Sequence, residues 1–376
     1  MIAHLWPRSD GDSWRARLEV GGYTAEPFFQ RLGEPLGDMT RADALLVATL
    51  LIFMSRGAET VRVHGPVSRV LLRNLDELQC VWTKWRPNLY RKVVVEVDEA
   101  VDDRPTGAGA ISAFSGGVDA AFTVYRHCVQ PSGWHTLPLR EVVMVQGFDV
   151  GLGEPEVFQR AVDRSRRMLA GTNLVVSLVR TNIRGLSTRW GDHFALAVAS
   201  VLLLFADRRD TGLIGSGEDY ASMFTPCGST PVQDWMASTG SMAIRNDGAG
   251  YSRTEKVAEL CNWPAAPEYL RVCYRGADHD RNCGRCEKCV RTMLNFEVVG
   301  HSSSGCFDNA LDLADLRRVY FANGPMAAEW KSLVREADRR GIDADWVAGV
   351  RRVIRREQLK ATPVGQVLKR FRTARG

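Results

Sequence analysis

The stretch Ala110-Ile111-Ser112-Ala113-Phe114-Ser115-Gly116-Gly117-Val118-Asp119-Ala120 constrains the fold more than any other part of this chain. Ala110 to Phe114 is a short apolar run of the kind that forms a buried strand. Ser115-Gly116-Gly117 can bend sharply, because glycine reaches backbone angles closed to other residues. From Val118 onward, Val118, Ala121, Phe122 and Tyr125 recur at helical spacing. A strand, a glycine loop and a helix start together aim backbone N–H groups and the positive end of a helix dipole at one point, which suits a phosphate. The bland alternative is a Gly-Gly turn into a helix.

The elements that follow alternate. Val142 to Val145 reads as a strand running into Gly147-Phe148-Asp149, and Pro155 to Leu169 as a helix. Leu174 to Val179 is a further strand, His193 to Ala206 a buried helix, and Gly212 to Ile214 a strand running into Gly215-Ser216-Gly217. Alternation of this kind predicts an α/β fold with a parallel sheet and helices on both faces. In such sheets ligands bind at the carboxyl ends of the strands. The glycine loop, Asp149 and the segment Gly215 to Glu218 are therefore expected on one edge.

Residues 1–105 read as a small α/β domain of their own. Trp14 to Val20, Val61 to Val63 and Val93 to Val97 have strand patterns; Ala44 to Met54 and Val67 to Trp82 have helical ones. Thr40-Arg41-Ala42-Asp43 resembles a helix cap. No catalytic constellation is visible in this half, and Trp82, Trp85 and Tyr90 read as core. Ala100 to Ala108 reads as a linker into a second domain, residues 108–300. Beyond it, 301–376 is expected to be a helical, basic extension, with helices over Leu311 to Tyr320, Ala327 to Arg340 and Asp345 to Leu359. From Met326 on there are thirteen Lys/Arg against six Asp/Glu, so this tail accounts for more than the whole net charge of +5. A tail like this could meet nucleic acid, though a solvated helix face is the plainer reading.

The longest apolar runs fall well short of the roughly 20 residues that span a bilayer. The N-terminus has no signal-peptide pattern. A cytoplasmic protein without a membrane span is the expectation. The chain has nine cysteines, of which Cys273, Cys283, Cys286 and Cys289 crowd into seventeen residues. Such a cluster in a long chain points to metal rather than to disulfides. Its CxxCxxC spacing, with one thiol ten residues upstream, fits a closed tetrahedral Zn²⁺ site of structural type. Arg285, Lys288 and Arg291 would offset thiolate charge, and His279 could replace one thiol. An iron–sulfur cluster and catalytic thiols remain alternatives.

Ser115-Gly116-Gly117-Val118-Asp119 resembles the SGGxDS signature of the PP-loop ATP pyrophosphatases, which cleave ATP between the α- and β-phosphates. With the downstream cysteines, residues 109–296 resemble the 7-cyano-7-deazaguanine synthase (QueC) family of the queuosine pathway. Gly147-Phe148-Asp149 is similar to its FDYG segment, and Ile214 to Tyr220 to its IGxxxEDY segment. Ser252-Arg253-Thr254-Glu255 is similar to TKAE, and Cys273-Tyr274 to the SCY that opens the zinc site. The resemblance implies an adenine nucleotide α-hydrolase-like fold and ATP, Mg²⁺ and Zn²⁺ as cofactors. It implies a nucleotide site built from Phe114, Ser115, Gly116, Gly117, Val118, Asp119, Ala120, Phe148, Asp149 and Gly215, with Asp119, Arg253, Glu218 and Asp219 in catalytic roles.

The implied reaction activates a carboxylate as an acyl-adenylate, releases pyrophosphate and transfers the acyl group to ammonia or an amine. His193 is a weaker substrate-facing candidate, since a lone histidine at a buried helix start more often packs. Ala120 stands where the family has serine, and Met223 to Asp234 departs from its substrate segment, so the substrate need not be a carboxy-deazaguanine. An amidotransferase or sulfurtransferase of the same class, acting on a sugar, protein or tRNA, is the alternative enzyme. A zinc-bearing nucleic-acid-binding protein is the non-enzyme alternative. A nucleic acid or protein substrate would be met by the N-terminal region or the basic tail, and the chain could form a homodimer.

Overall fold

The computed structural model describes residues 1–273, 280–301, 305–322 and 324–361. His279 and the basic residues past 361 lie outside these described residues. The N-terminal third supplies β1 (Ile2–Asp10), β2 (Ser13–Val20), β3 (Tyr23–Ala25), β4 (Phe28–Leu32), α1 (Asp43–Ser55), β5 (Thr60–Ser68), α2 (Arg69–Trp85) and β6 (Val94–Val101). The middle supplies β7 (Ala110–Ala113), α3 (Val118–Val124), β8 (Leu139–Gln146), α4 (Pro155–Met168), β9 (Val175–Thr181), α5 (Ile183–Leu186), α6 (Trp190–Leu203), β10 (Thr211–Gly215) and β11 (Ala243–Asp247). Helices α7 (Arg253–Leu260), α8 (Ala265–Tyr269), α9 (Glu287–Val298), α10 (Gly324–Arg339) and α11 (Asp345–Ala361) complete the chain.

All the strands belong to one sheet, in the order β11-β10-β7-β8-β9-β4-β2-β1-β5-β6, with β3 also on β2. The five strands from β11 to β9 run parallel. β4 is antiparallel to both β9 and β2, and β1, β5 and β6 form a second parallel block. The α/β class expected from the alternating pattern is therefore present as a large, mostly parallel sheet flanked by helices.

The region expected as a separate first domain is joined to the second through the β4–β9 ladder, where Phe29 pairs with Thr181 and Leu32 with Leu178. Packing also joins them. Every residue from Asp43 to Met54 is buried, because α1 lies between the sheet and α6. A helix apolar all round its circumference needs such cover on every side. Adjacent residues of β7 and β8 face opposite ways, as a pleated strand requires. Ile111 and Val143 enter the core shared with α1 and α6, whereas Ala110 and Val142 enter the core under α3, α4 and α9. A third core, around Trp330 and Val350, seats α10 and α11 on α9.

Three local expectations are corrected. The N-cap of α1 is Ala42, without a side-chain cap; Asp43 instead accepts from the Ser68 N–H and pairs with Arg41. Leu311 to Tyr320 forms only a 3₁₀ turn, Leu313–Arg318, started by the Asp312 side chain. The segment expected as a linker is anchored: Asp103 accepts from Ser68 Oγ and from the Gly240 and Ser241 N–H groups. Among the described residues, no helix is long and apolar enough to cross a membrane.

Candidate functional site

The glycine loop leaves β7 at the carboxyl edge of the parallel block. Gly116 sits at φ +76°, in the left-handed region that glycine alone enters cheaply. A Cβ there would also come within 3.4 Å of Ser165 Oγ and 3.5 Å of Arg271 Cβ. Gly117 is the N-cap of α3, and its N–H donates to Ser115 Oγ over 3.3 Å. Arg271 straps the loop from outside. Its backbone N–H donates to Gly116 O at 2.7 Å, and its guanidinium donates to Ser115 O at 2.8 Å. The bend is thus held by backbone contacts to the segment that leads into the cysteine cluster.

Asp119, in the first turn of α3, is the centre of a charge cluster. Arg253 Nη1 lies 3.0 Å and Lys256 Nζ 3.4 Å from its carboxylate. Both cations come from α7, whose start is fixed by a reciprocal capping box between Ser252 and Glu255. Positions three apart share a helix face, which brings Arg253 and Lys256 to one carboxylate. Burial alone would raise the Asp119 carboxyl, but Arg253, Lys256 and Lys288 together hold it below its ordinary range. Lys288 is lowered by burial and by Arg253, against the pull of Asp149 and Asp119. Nη2 of Arg253 is buried and has no hydrogen-bond partner among the described residues.

Two cavities meet at this cluster. The first, of about 280 Å³, has an apolar wall of Phe114, Val143, Val145, Phe148, Trp190 and Phe194. Its polar end is made by Ser115, Asp119, Asp149, Arg271 and Lys288. The second, of about 400 Å³, is lined mainly by charged and polar groups, among them Arg86, Asp192, Glu218, Cys227, Arg253 and Glu329. Asp119, Phe194, Gly215 and Lys288 line both. Gly215 is needed there because a Cβ would lie 2.8 Å from the Asp119 carbonyl oxygen. Any side chain at that position would push α3 off β10.

The expected nucleotide residues separate into two groups. Phe114, Ser115, Asp119, Ala120, Phe148, Asp149 and Gly215 all line the first cavity. The side chain of Val118 is instead buried in the core, and Gly116 and Gly117 shape the loop without lining either cavity. Among the expected catalytic residues, Asp119, Arg253 and Glu218 line the second cavity. Asp219 does not; its carboxylate accepts from the Ala221 and Ser222 N–H groups and from Ser222 Oγ, which holds a turn. His193 lies in the core, donating from Nε2 to Ala48 O at 2.9 Å.

Sequence reasoning missed Lys256, Arg271 and Arg86. Lys256 could have been found as the residue one turn after Arg253, and Arg271 by its place two residues before Cys273. Arg86 comes from the half in which no site was expected. Lys288 was assigned to thiolate charge but lines both cavities, and Arg291 is taken by Glu287 at 2.8 Å and by Glu329.

The four cysteines converge as their spacing predicts. All four Sγ atoms lie within 4.8 Å of one another, with Cys273–Cys286 at 3.8 Å and Cys283–Cys289 at 3.9 Å. Tetrahedral Zn–S bonds of the usual length put sulfurs about 3.8 Å apart, so the set fits Zn²⁺. Gly284, at φ +70°, makes the turn between the first two thiols of the close-spaced triplet. Proximity to Cys273 and Cys286 pushes the Cys289 thiol well up. Thiolates this close need a cation between them, and a bound metal would reverse that push. Cys289 is the third residue of α9, next to Lys288, so the cysteine cluster and the cavities share one helix start.

Searches of protein-family models, curated proteins and solved structures returned no match for this chain.

Proposed function

We propose that this chain is an ATP-dependent adenylating enzyme that joins a carboxylate to ammonia or an amine. The observation that carries the reading is the pair of cavities meeting at Asp119, Gly215 and Lys288. An apolar slot ending in a glycine loop, beside a charged chamber, matches the needs of a nucleotide and a second substrate. Phe148, Phe114 and Trp190 would take the adenine by apolar contact. The Ser115–Gly117 loop, Lys288 and the open donor of Arg253 would take phosphate oxygens, where charge develops as pyrophosphate leaves. Asp119 would hold the Mg²⁺ that accompanies ATP, which supplies Lewis-acid stabilisation of the phosphates. The four-cysteine site, with no open position, would hold Zn²⁺ in a structural role.

In this reaction a carboxylate oxygen attacks the α-phosphorus, pyrophosphate departs, and the acyl-adenylate is then attacked by nitrogen. Positioning and charge stabilisation carry most of the barrier reduction, so few acid–base groups are needed. A sulfurtransferase is disfavoured because burial pushes the Cys227 thiol, the one in the second cavity, up to about 12. A thiol so rarely ionised is a poor nucleophile.

The test is pyrophosphate–ATP exchange with the full chain, Mg²⁺ and a carboxylate panel that includes a carboxy-deazaguanine. Exchange dependent on one class of carboxylate is the expected result. No exchange with any of them, together with tight, salt-dependent binding of RNA or DNA, would overturn the reading in favour of a nucleic-acid-binding protein.

A further inference from the structure

The second cavity contains five carboxylates, and four of them are already paired. Asp192 accepts from Arg86 through two hydrogen bonds of 3.1 Å and from Arg189. Glu287 and Glu329 share Arg291. Asp119 is held by Arg253 and Lys256. Glu218 is the exception. It is only 8% exposed, its Oε2 accepts from the Phe224 N–H at 2.8 Å, and its Oε1 is buried with no hydrogen bond among the described residues. Its side-chain neighbour is the Cys227 thiol, a weak donor that leaves the carboxylate charge unbalanced. Burial, with Glu329 nearby, pushes the carboxyl up to about 7. An acid in this state changes protonation near neutral pH, which suits a group that exchanges a proton with its ligand. A buried carboxylate oxygen without a partner is costly until a cation or N–H donor reaches it.

We propose that the second cavity binds the nitrogen nucleophile, an ammonium ion or primary amine, and that Glu218 is the catalytic residue that receives its proton. This rests on the adenylating reading for its chemistry, though not for binding. The ammonium gives one proton to the Glu218 carboxylate. The freed lone pair forms the C–N bond at the acyl carbon, and the bond from that carbon to the phosphate oxygen breaks. AMP leaves with the electron pair and takes up the second nitrogen proton. Asp119, Phe194, Gly215 and Lys288 line both chambers, so the amine would sit beside the nucleotide.

The first measurement is calorimetric titration of methylammonium chloride into the full chain at pH 8, with tetramethylammonium as the control lacking N–H donors. Saturable methylammonium binding is expected, at least tenfold weaker in Glu218→Gln and absent for tetramethylammonium. Glu218→Asp, which keeps the charge, should retain part of it and guards against misfolding of the first variant. No saturable binding in the unaltered chain, or equal binding in Glu218→Gln, overturns the proposal. The second measurement uses a carboxylate that supports exchange. Glu218→Gln should keep pyrophosphate exchange, lose transfer to ammonium by 100-fold or more, and lose transfer to hydroxylamine, which is already neutral, by less than tenfold. Parallel loss of exchange overturns the assignment. If no carboxylate supports exchange, the adenylating reading falls, and the methylammonium result alone decides whether Glu218 binds amines.

Discussion

A neutral imidazole joins two buried helices at His193. Its ring, on α6, donates to the carbonyl of Ala48 on α1, and burial lowers its pKa to about 4. In the unfolded chain the ring titrates near the usual 6.5, so the unfolded state binds more protons between pH 4 and 6.5. The stability from this group is therefore complete above about pH 6.5 and lost as pH falls toward 4. That difference is on the order of 3 kcal/mol. Urea midpoints measured from pH 7 to 4.5 should fall steeply in the unaltered chain and less steeply in His193→Gln, whose amide can keep the bond to Ala48. Equal slopes would show that His193 does not titrate on unfolding. Single residues were legible where the chemistry was local. Asp119 and Arg253 were both singled out from the sequence, and they meet at 3.0 Å. Lys256 was not, although it lies one turn after Arg253 on the same face of α7.

At the scale of elements, the segment from Arg271 to Cys289 bears on both the four-cysteine cluster and the proposed nucleotide site. Arg271 straps the glycine loop two residues before Cys273, and Lys288 enters the cavities one residue before Cys289. A metal that fixes the thiols therefore also fixes two cavity cations. Removing Zn²⁺ with a chelator, or replacing Cys283 by serine, should weaken binding of a fluorescent ATP analogue at least tenfold. Far-UV circular dichroism should meanwhile change little, because the core that holds α1, α2 and α6 contains no residue of this segment. Unchanged affinity after verified metal loss would separate the two sites. Most helices and strands were readable from period and punctuation, as with the amphipathic α4 and α2. Strands β1, β3, β4 and β11 went unread, β3 having only three residues. β1 alternates only over its first half, and β4 and β11 have five residues each, too few for periodicity to stand out.

Among the described residues the strands form a single continuous sheet, and the two regions that share it depend on each other. Removing residues 1–105 would strip β4 from β9 and α1 from α6, and would expose Val201, Ala197 and Ile183 among others. A fragment beginning at residue 108 should therefore aggregate or lose its cooperative thermal transition, while the full chain unfolds in one calorimetric step. A soluble, cooperatively folded fragment would show that the shared core is dispensable. The N-terminal region also reaches the candidate site through Arg86, at the end of α2, which grips Asp192 in the second cavity. By itself, the sequence determined what depends on residues close along the chain: the α/β class, the glycine bend, the clustered thiols and the apolar helices. Tertiary structure alone decided that two apparent domains share one sheet, that two cavities meet at Asp119, and that Oε1 of Glu218 is left without a hydrogen bond among the described residues. Strand order and charge pairing bring together residues a hundred or more positions apart, and local pattern carries no information about which distant partner will cover a given edge or face.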